Sequence, residues 1–154
     1  MATIGDLMQT EMVTAREDET VAHAAYMMAS NGIGAVLVVE DDKLVGILTE
    51  RDVLKLVGAG GDPAGTRVAE VATADPITVT AGTHVKECSQ RMRDEGIRHL
   101  PVVGDGGTLG IVSARDLFGF VAASLERVVD EEQYAQALAS GQDPYDHPGG
   151  SYGR

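Results

Sequence analysis

Two seven-residue stretches carry the side chains best placed to hold an anion: Gly46-Ile47-Leu48-Thr49-Glu50-Arg51-Asp52 and Gly110-Ile111-Val112-Ser113-Ala114-Arg115-Asp116. In each, an apolar run gives way at once to a hydroxyl residue, then to an Arg and an Asp. That order predicts the end of a strand turning into the start of a helix. The first backbone N–H groups of a helix lack internal partners, and its aligned peptide dipoles favour negative charge beside them. Two such corners predict two sites. The same spacing also fits a capping box, Thr49-x-x-Asp52 and Ser113-x-x-Asp116, in which hydroxyl and carboxylate satisfy the orphan N–H groups for roughly 0.5–2 kcal/mol. On spacing alone the two readings stand level. The arginine beside each Asp favours a ligand, because a cap needs no arginine.

The elements that position these corners occur in a fixed order. Thr3-x-x-Asp6, with Ile4, Leu7 and Met8 at helical spacing, predicts one or two turns of helix, and residues 12–15 a short extended piece. From Thr20 the apolar residues Val21, Ala24, Ala25 and Met28 form one helical stripe that stops at Asn31-Gly32. Residues 35–39 and 44–48, joined by Asp41-Asp42-Lys43, predict an antiparallel hairpin, since the connection is too short for a crossover. A helix then runs from Thr49 to about Val57, and the Gly/Pro-rich residues 58–65 read as a linker.

After the linker the order returns. Gly46 and Gly110 are 64 positions apart, and the same shift lays Thr14 on Thr78, Val21 on Val85, Met28 on Met92, Gly32-Ile33 on Gly96-Ile97, Val38-Val39 on Val102-Val103 and Arg51-Asp52 on Arg115-Asp116. Turn glycines, core positions and the Arg-Asp pair falling at one shift mark a duplicated supersecondary unit. A unit of about 60 residues buries too little surface to be comfortable alone, so the two should pack together with pseudo-twofold symmetry.

Composition narrows the function. The 154 residues are 44% hydrophobic and 23% charged, a globular balance, and the formal net charge of −12 opposes non-specific binding to nucleic acid or anionic membranes. There is no run of eighteen apolar residues and no signal-peptide pattern at the start, so a cytoplasmic protein is expected. The one cysteine, Cys88, sits at an apolar helical position and reads as a small core residue rather than a catalytic thiol. His84 and Cys88, four apart, lack the second pair that a metal site needs, and Met27-Met28 reads as core packing. His23 reads as solvated. A small metal enzyme using His84, Cys88 and His99 is the weakest reading.

The duplicated unit of helix, short strand, helix, hairpin and helix, closed each time by Gly-h-h-Thr/Ser-x-x-Asp, resembles a tandem pair of cystathionine-β-synthase (CBS) domains, a Bateman module. The resemblance covers roughly residues 2–124 and includes Gly96-Ile97-Arg98-His99-Leu100-Pro101-Val102-Val103. The first copy departs there, with Ala35-Val36-Leu37 where the second has His99-Leu100-Pro101, so the two pockets need not be equally competent. The fold class implied is α+β, two CBS repeats, each a small sheet with flanking helices. The divisions expected are repeat 1 with the linker start at 1–60, repeat 2 at 61–124, a C-terminal helix at 125–140 and a disordered tail at 141–154.

The resemblance implies a stand-alone regulatory or sensor module, not an enzyme, that binds AMP, ADP, ATP or S-adenosylmethionine in the clefts between the repeats. No cofactor or metal is expected. Asp52 and Asp116 would accept the hydroxyls of a ribose, as acidic residues do in dinucleotide folds. Thr49 and Ser113 would offer hydroxyls to a phosphate facing the helix end, with Arg51 and Arg115 adding charge. Val13, Ile77 and Pro101 would wall the adenine, Arg98 would reach a phosphate across the cleft, and His99 would form a polar wall. A homodimer and a client protein are the partners implied. The alternative is a structural or dimerisation module without nucleotide, in which Thr49-Asp52 and Ser113-Asp116 serve only as caps.

Overall fold

The computed structural model describes residues 1–141, in two compact units, Met1–Leu117 and a second that opens at Phe118. In the first unit a 3-10 turn at Ile4–Asp6 precedes β1 (Thr14–Ala15), α1 (Val21–Asn31), the hairpin β2 (Ala35–Glu40) and β3 (Lys43–Thr49), and α2 (Glu50–Gly58). Then come α3 (Val68–Val71), β4 (Thr73–Ala74), β5 (Val79–Thr80), α4 (Val85–Glu95), the hairpin β6 (His99–Gly104) and β7 (Gly107–Ser113), and the start of α5 (Ala114–Ala139). The strands form two small mixed sheets, ordered β1-β2-β3-β4 and β5-β6-β7.

Local chemistry sets the boundaries. Thr20 caps α1 by accepting from the His23 N–H, and Gly32 and Gly96 end α1 and α4 in the left-handed conformation at φ 62° and 64°, where a Cβ would be strained. Asp41 and Asp42 both take positive φ, the geometry that a tight two-residue hairpin turn requires. The bulge between Val38 and Val39 recurs between Val102 and Val103, so the duplication reaches irregularities as well as elements.

The two repeats are interlocked by an exchange of their opening segments. Fully buried Ile4, from the head of the first repeat, packs in the core of the second with Val79, Cys88, Met92, Leu100, Val102, Val112 and Leu117. Its counterpart Val68 packs in the core of the first with Ala15, Ala24, Met28, Val36, Val38 and Leu48. Backbone bonds hold each segment in place. Ile4 N–H donates to the Thr83 carbonyl and Val68 N–H to that of Glu19, both at 2.8 Å. Val85 N–H donates to Ala2 at 3.2 Å and Val21 N–H to Thr66 at 2.9 Å. Each pair is related by the 64-residue shift.

The exchanged segments also cross the facing hairpins. Gly46 pairs with Ala74 and Ile47 with Thr73 in β4, while Gln9 bridges Ile111 in the corresponding place. A Cβ on Gly46 would lie 3.0 Å from the Thr73 carbonyl, and one on Gly110 would collide with that of Gln9. Both motif glycines are therefore required by the passing backbone of the opposite repeat. Ile111 of the second repeat packs against the cluster of Ala35, Leu37 and Ile47, where the halves meet.

The C-terminal helix expected at 125–140 is continuous with the preceding one, because no proline and a single glycine, Gly119, fall along α5. Within the second unit Phe118, Val121, Leu125 and Val128 are exposed. The tail expected at 141–154 lies outside the described residues beyond Gly141. Among the described residues no helix is long and apolar enough to cross a membrane.

Ile4 fills the other repeat's core, so Ile4→Ala should destabilise the protein by about 2–5 kcal/mol. Urea unfolding should show both repeats losing structure in one transition; a second repeat that melts early while the first persists would contradict the interlock.

Candidate functional site

Each corner is built by a strand that ends on a hydroxyl residue and a helix that starts on the next. At the first, Asp52 Oδ2 accepts from the Thr49 N–H at 2.9 Å and from its hydroxyl at 3.0 Å, and Asp52 N–H returns a bond to Thr49 Oγ1 at 3.3 Å. At the second, Asp116 Oδ2 accepts from the Ser113 N–H and hydroxyl, both at 2.8 Å, and Asp116 N–H donates to Ser113 Oγ at 3.2 Å. Both corners are complete capping boxes. Their hydroxyls are already donated to a carboxylate, which differs from the expectation that Thr49 and Ser113 offer them to a phosphate.

The corners differ in what lies beside them. A cleft of about 840 Å³ opens against the second, lined there by Ser113, Ala114, Arg115 and Asp116 together with Arg98, His99 and Ile111. The first repeat supplies the facing wall: Gln9, Glu11, Met12, Val13, Met28, the α1 terminus at Asn31 and Gly32, then Ile33, Gly34, Ala35, Leu37 and Glu50. The volume falls in the range of about 300–1,000 Å³ typical of small-molecule sites, and the lining combines apolar walls with a few polar groups. Among the described residues the second carboxylate oxygen of Asp116, Oδ1, is held only by the Gln9 side-chain amide at 3.2 Å.

Of the residues singled out from sequence, the cleft brings together Val13, Arg98, His99, Ser113, Arg115 and Asp116. Thr49, Arg51, Asp52, Ile77 and Pro101 do not line it. Pro101 is fully buried within β6 and Ile77 is exposed. Two sites that need not be equally competent were expected; the cleft reaches one corner and not the other, and local packing explains the difference. Arg51 reaches across to donate to the Gly96 carbonyl at 3.4 Å, and Arg98, His99 and Pro101 occupy positions where the first repeat has Gly34, Ala35 and Leu37. A smaller groove of about 430 Å³ beside Met92, Gly96, Ile97 and Ala114 does not extend to Thr49 or Asp52. Sequence reasoning passed over Gln9, Gly34 and Glu50. Only Gly34 carried a signal, as the small residue standing where the second repeat has Arg98.

Charge in the cleft is partly paired. Arg98 Nη2 lies 3.6 Å from Glu50 Oε1, a half-exposed pair joining the two repeats, while Arg115 makes no ion pair among the described residues. Cys88 is fully buried, and burial pushes its thiol pKa up, which suits a core residue and not a nucleophile. Among the described residues no group of three or more His, Cys, Asp or Glu is placed to hold a metal.

Burial of the imidazole, then the Arg98 guanidinium next to it, holds the His99 pKa below the ordinary histidine value. The folded ring binds its proton less readily than the unfolded one. Its contribution to stability is therefore complete above about pH 6.5 and is lost as pH falls towards the lower folded value. An NMR titration should give a His99 midpoint below about 6.5; a midpoint at or above it would contradict this environment.

Comparison with known proteins agrees with the architecture. The CBS domain family matches twice, at residues 4–59 and 68–123. A CBS domain-containing protein of Bacillus subtilis is 33% identical over 117 residues, covering 76% of this chain and 84% of that protein. The CBS domain protein of Pyrobaculum aerophilum complexed with AMP superposes with a TM-score of 0.68 at 29% identity, over 74% of this chain and 88% of that one. Hypoxic Response Protein I of Mycobacterium tuberculosis, solved with two coordinated zinc ions, gives 0.65 at 33% identity, over 75% and 96%. The chain belongs to the CBS domain family and carries the domain as a tandem pair.

Proposed function

We propose that this CBS pair is a regulatory module that binds one adenosine-containing ligand per chain, in the cleft beside Asp116. The observation that carries the reading is the cleft itself, which draws its walls from both repeats and reaches the Ser113–Asp116 corner but not Thr49–Asp52. The Pyrobaculum aerophilum relative in complex with AMP supports the ligand class. A ribose hydroxyl takes the place of Gln9 on Asp116 Oδ1, leaving Oδ2 to hold the cap. With the Ser113 hydroxyl committed and Arg98 paired to Glu50, the phosphate meets the N-terminus of α5 and the Arg115 guanidinium. Adenine lies against Val13, Met12 and Leu37.

Binding that touches both repeats favours whichever arrangement holds the cleft in its liganded shape, and so can be read by a partner through that difference in affinity. Exposed Leu54 and Val57 on α2 offer apolar surface for a second copy or a client. We read the module as a cytoplasmic regulator rather than an enzyme.

One observation favours the nucleotide-free scaffold instead, namely that both motif carboxylates are engaged by their own helix starts. Calorimetry separates the two. Titration with AMP should give one site per chain, weakened about tenfold or more in Asp116→Ala through loss of a charged hydrogen bond, and retained in a folded Asp52→Ala. Absence of heat with the wild-type protein would leave the scaffold; equal losses in both variants would point to two sites.

A further inference from the structure

The volume of the cleft does not choose among adenosine ligands, but its charge does. Three carboxylates line it, Glu11, Glu50 and Asp116, against two guanidiniums, Arg98 and Arg115. Arg98 is already engaged by Glu50 at 3.6 Å. If Asp116 takes the sugar, the groups left for phosphate are Arg115, whose guanidinium has no ion-pair partner among the described residues, and the first turn of α5. These compensate one phosphate. Further phosphates would share the remaining space with Glu11 and Glu50, in a chain whose formal net charge is already −12. Burial holds the His99 pKa down, so its ring adds no positive charge near neutrality.

The Arg98–Glu50 pair belongs to this cleft and not to the duplicated fold. The positions 64 residues away hold Gly34 and Ala114, so neither partner is repeated. Gly34 also lies against the pair, where an added Cβ would sit 3.1 Å from Glu50 Oε1 and 3.3 Å from His99 Cε1. The absence of a side chain at Gly34 lets Glu50 and His99 share that wall.

We propose that the cleft selects adenosine ligands with a single 5′-phosphate over the di- and triphosphate, and that Glu50 and Glu11 are the residues that discriminate. This rests on the adenosine reading above. Each extra phosphate meets a net negative wall, and Glu50 additionally withholds Arg98. Two further negative charges at roughly 8–10 Å from one uncompensated carboxylate, in largely aqueous surroundings, weaken binding about threefold at low ionic strength.

The test is calorimetric titration of the full chain with AMP and with magnesium-free ATP, at about 0.01 M and about 1 M salt. At low salt AMP should bind about threefold more tightly than ATP, and high salt should shrink the ratio towards unity. Glu50→Gln and the Glu11→Gln/Glu50→Gln pair should shrink it at low salt by strengthening ATP rather than by weakening AMP. ATP binding as tightly as AMP in the wild type, or a ratio indifferent to both salt and substitution, overturns the selection and leaves the adenosine reading standing. No binding of either nucleotide overturns both.

Discussion

The structure depends on one exchange, in which each repeat lends its opening segment to the core of the other. Ile4 and Val68 are both fully buried, each in the hydrophobic cluster of the opposite repeat. Burying such a side chain is worth about 1.5–3 kcal/mol, and the backbone bonds that flank each one satisfy groups at the heads of α1 and α4. A repeat of this size is marginal by itself. Exchange makes the two cores share their closing residues, and it carries residues 9–13 across to the β7–α5 corner, so that the cleft is walled by both halves.

That constraint also explains the motif at the strand-to-helix corner. Its glycine is needed where the exchanged backbone crosses, its apolar residues fill the sheet and core, and its hydroxyl and Asp close a capping box. A sequence built for stability alone would look almost the same. What separates the corners is peripheral to the motif: Arg51 bonded to Gly96, Arg98 and His99 in place of Gly34 and Ala35, and Gln9 resting on the free oxygen of Asp116. Duplication thus supplied two corners, and unlike neighbours left one of them beside the cleft.

Much of the fold was legible in the sequence. Periodicity, glycine stops and the 64-residue shift located the helix from Thr20 and its repeat, both hairpins and the pseudo-twofold relation. The exchange was not legible, because an apolar residue such as Ile4 fits its own core as well as its neighbour's, and only chain path decides. Nor was β4, a two-residue strand in a stretch without alternation. For the site, Val13, Arg98, His99, Ser113, Arg115 and Asp116 were within reach of motif reasoning. Ile77 and Pro101 were chosen as apolar strand residues able to wall an adenine, and burial of Pro101 depends on packing that spacing does not encode. Gln9 and Glu50 carry no pattern at all; they matter through what the fold brings opposite them.

The central claim is that the exchange builds a single ligand cleft from both repeats. Backbone amide NMR during titration with AMP measures it most directly. The account predicts that signals of Val13 and Gly34 shift together with those of Ser113, Ala114, Arg115 and Asp116, along one common isotherm, while Thr49, Arg51 and Asp52 stay in place. Shifts confined to one repeat, or centred on the Thr49–Asp52 corner, would contradict it.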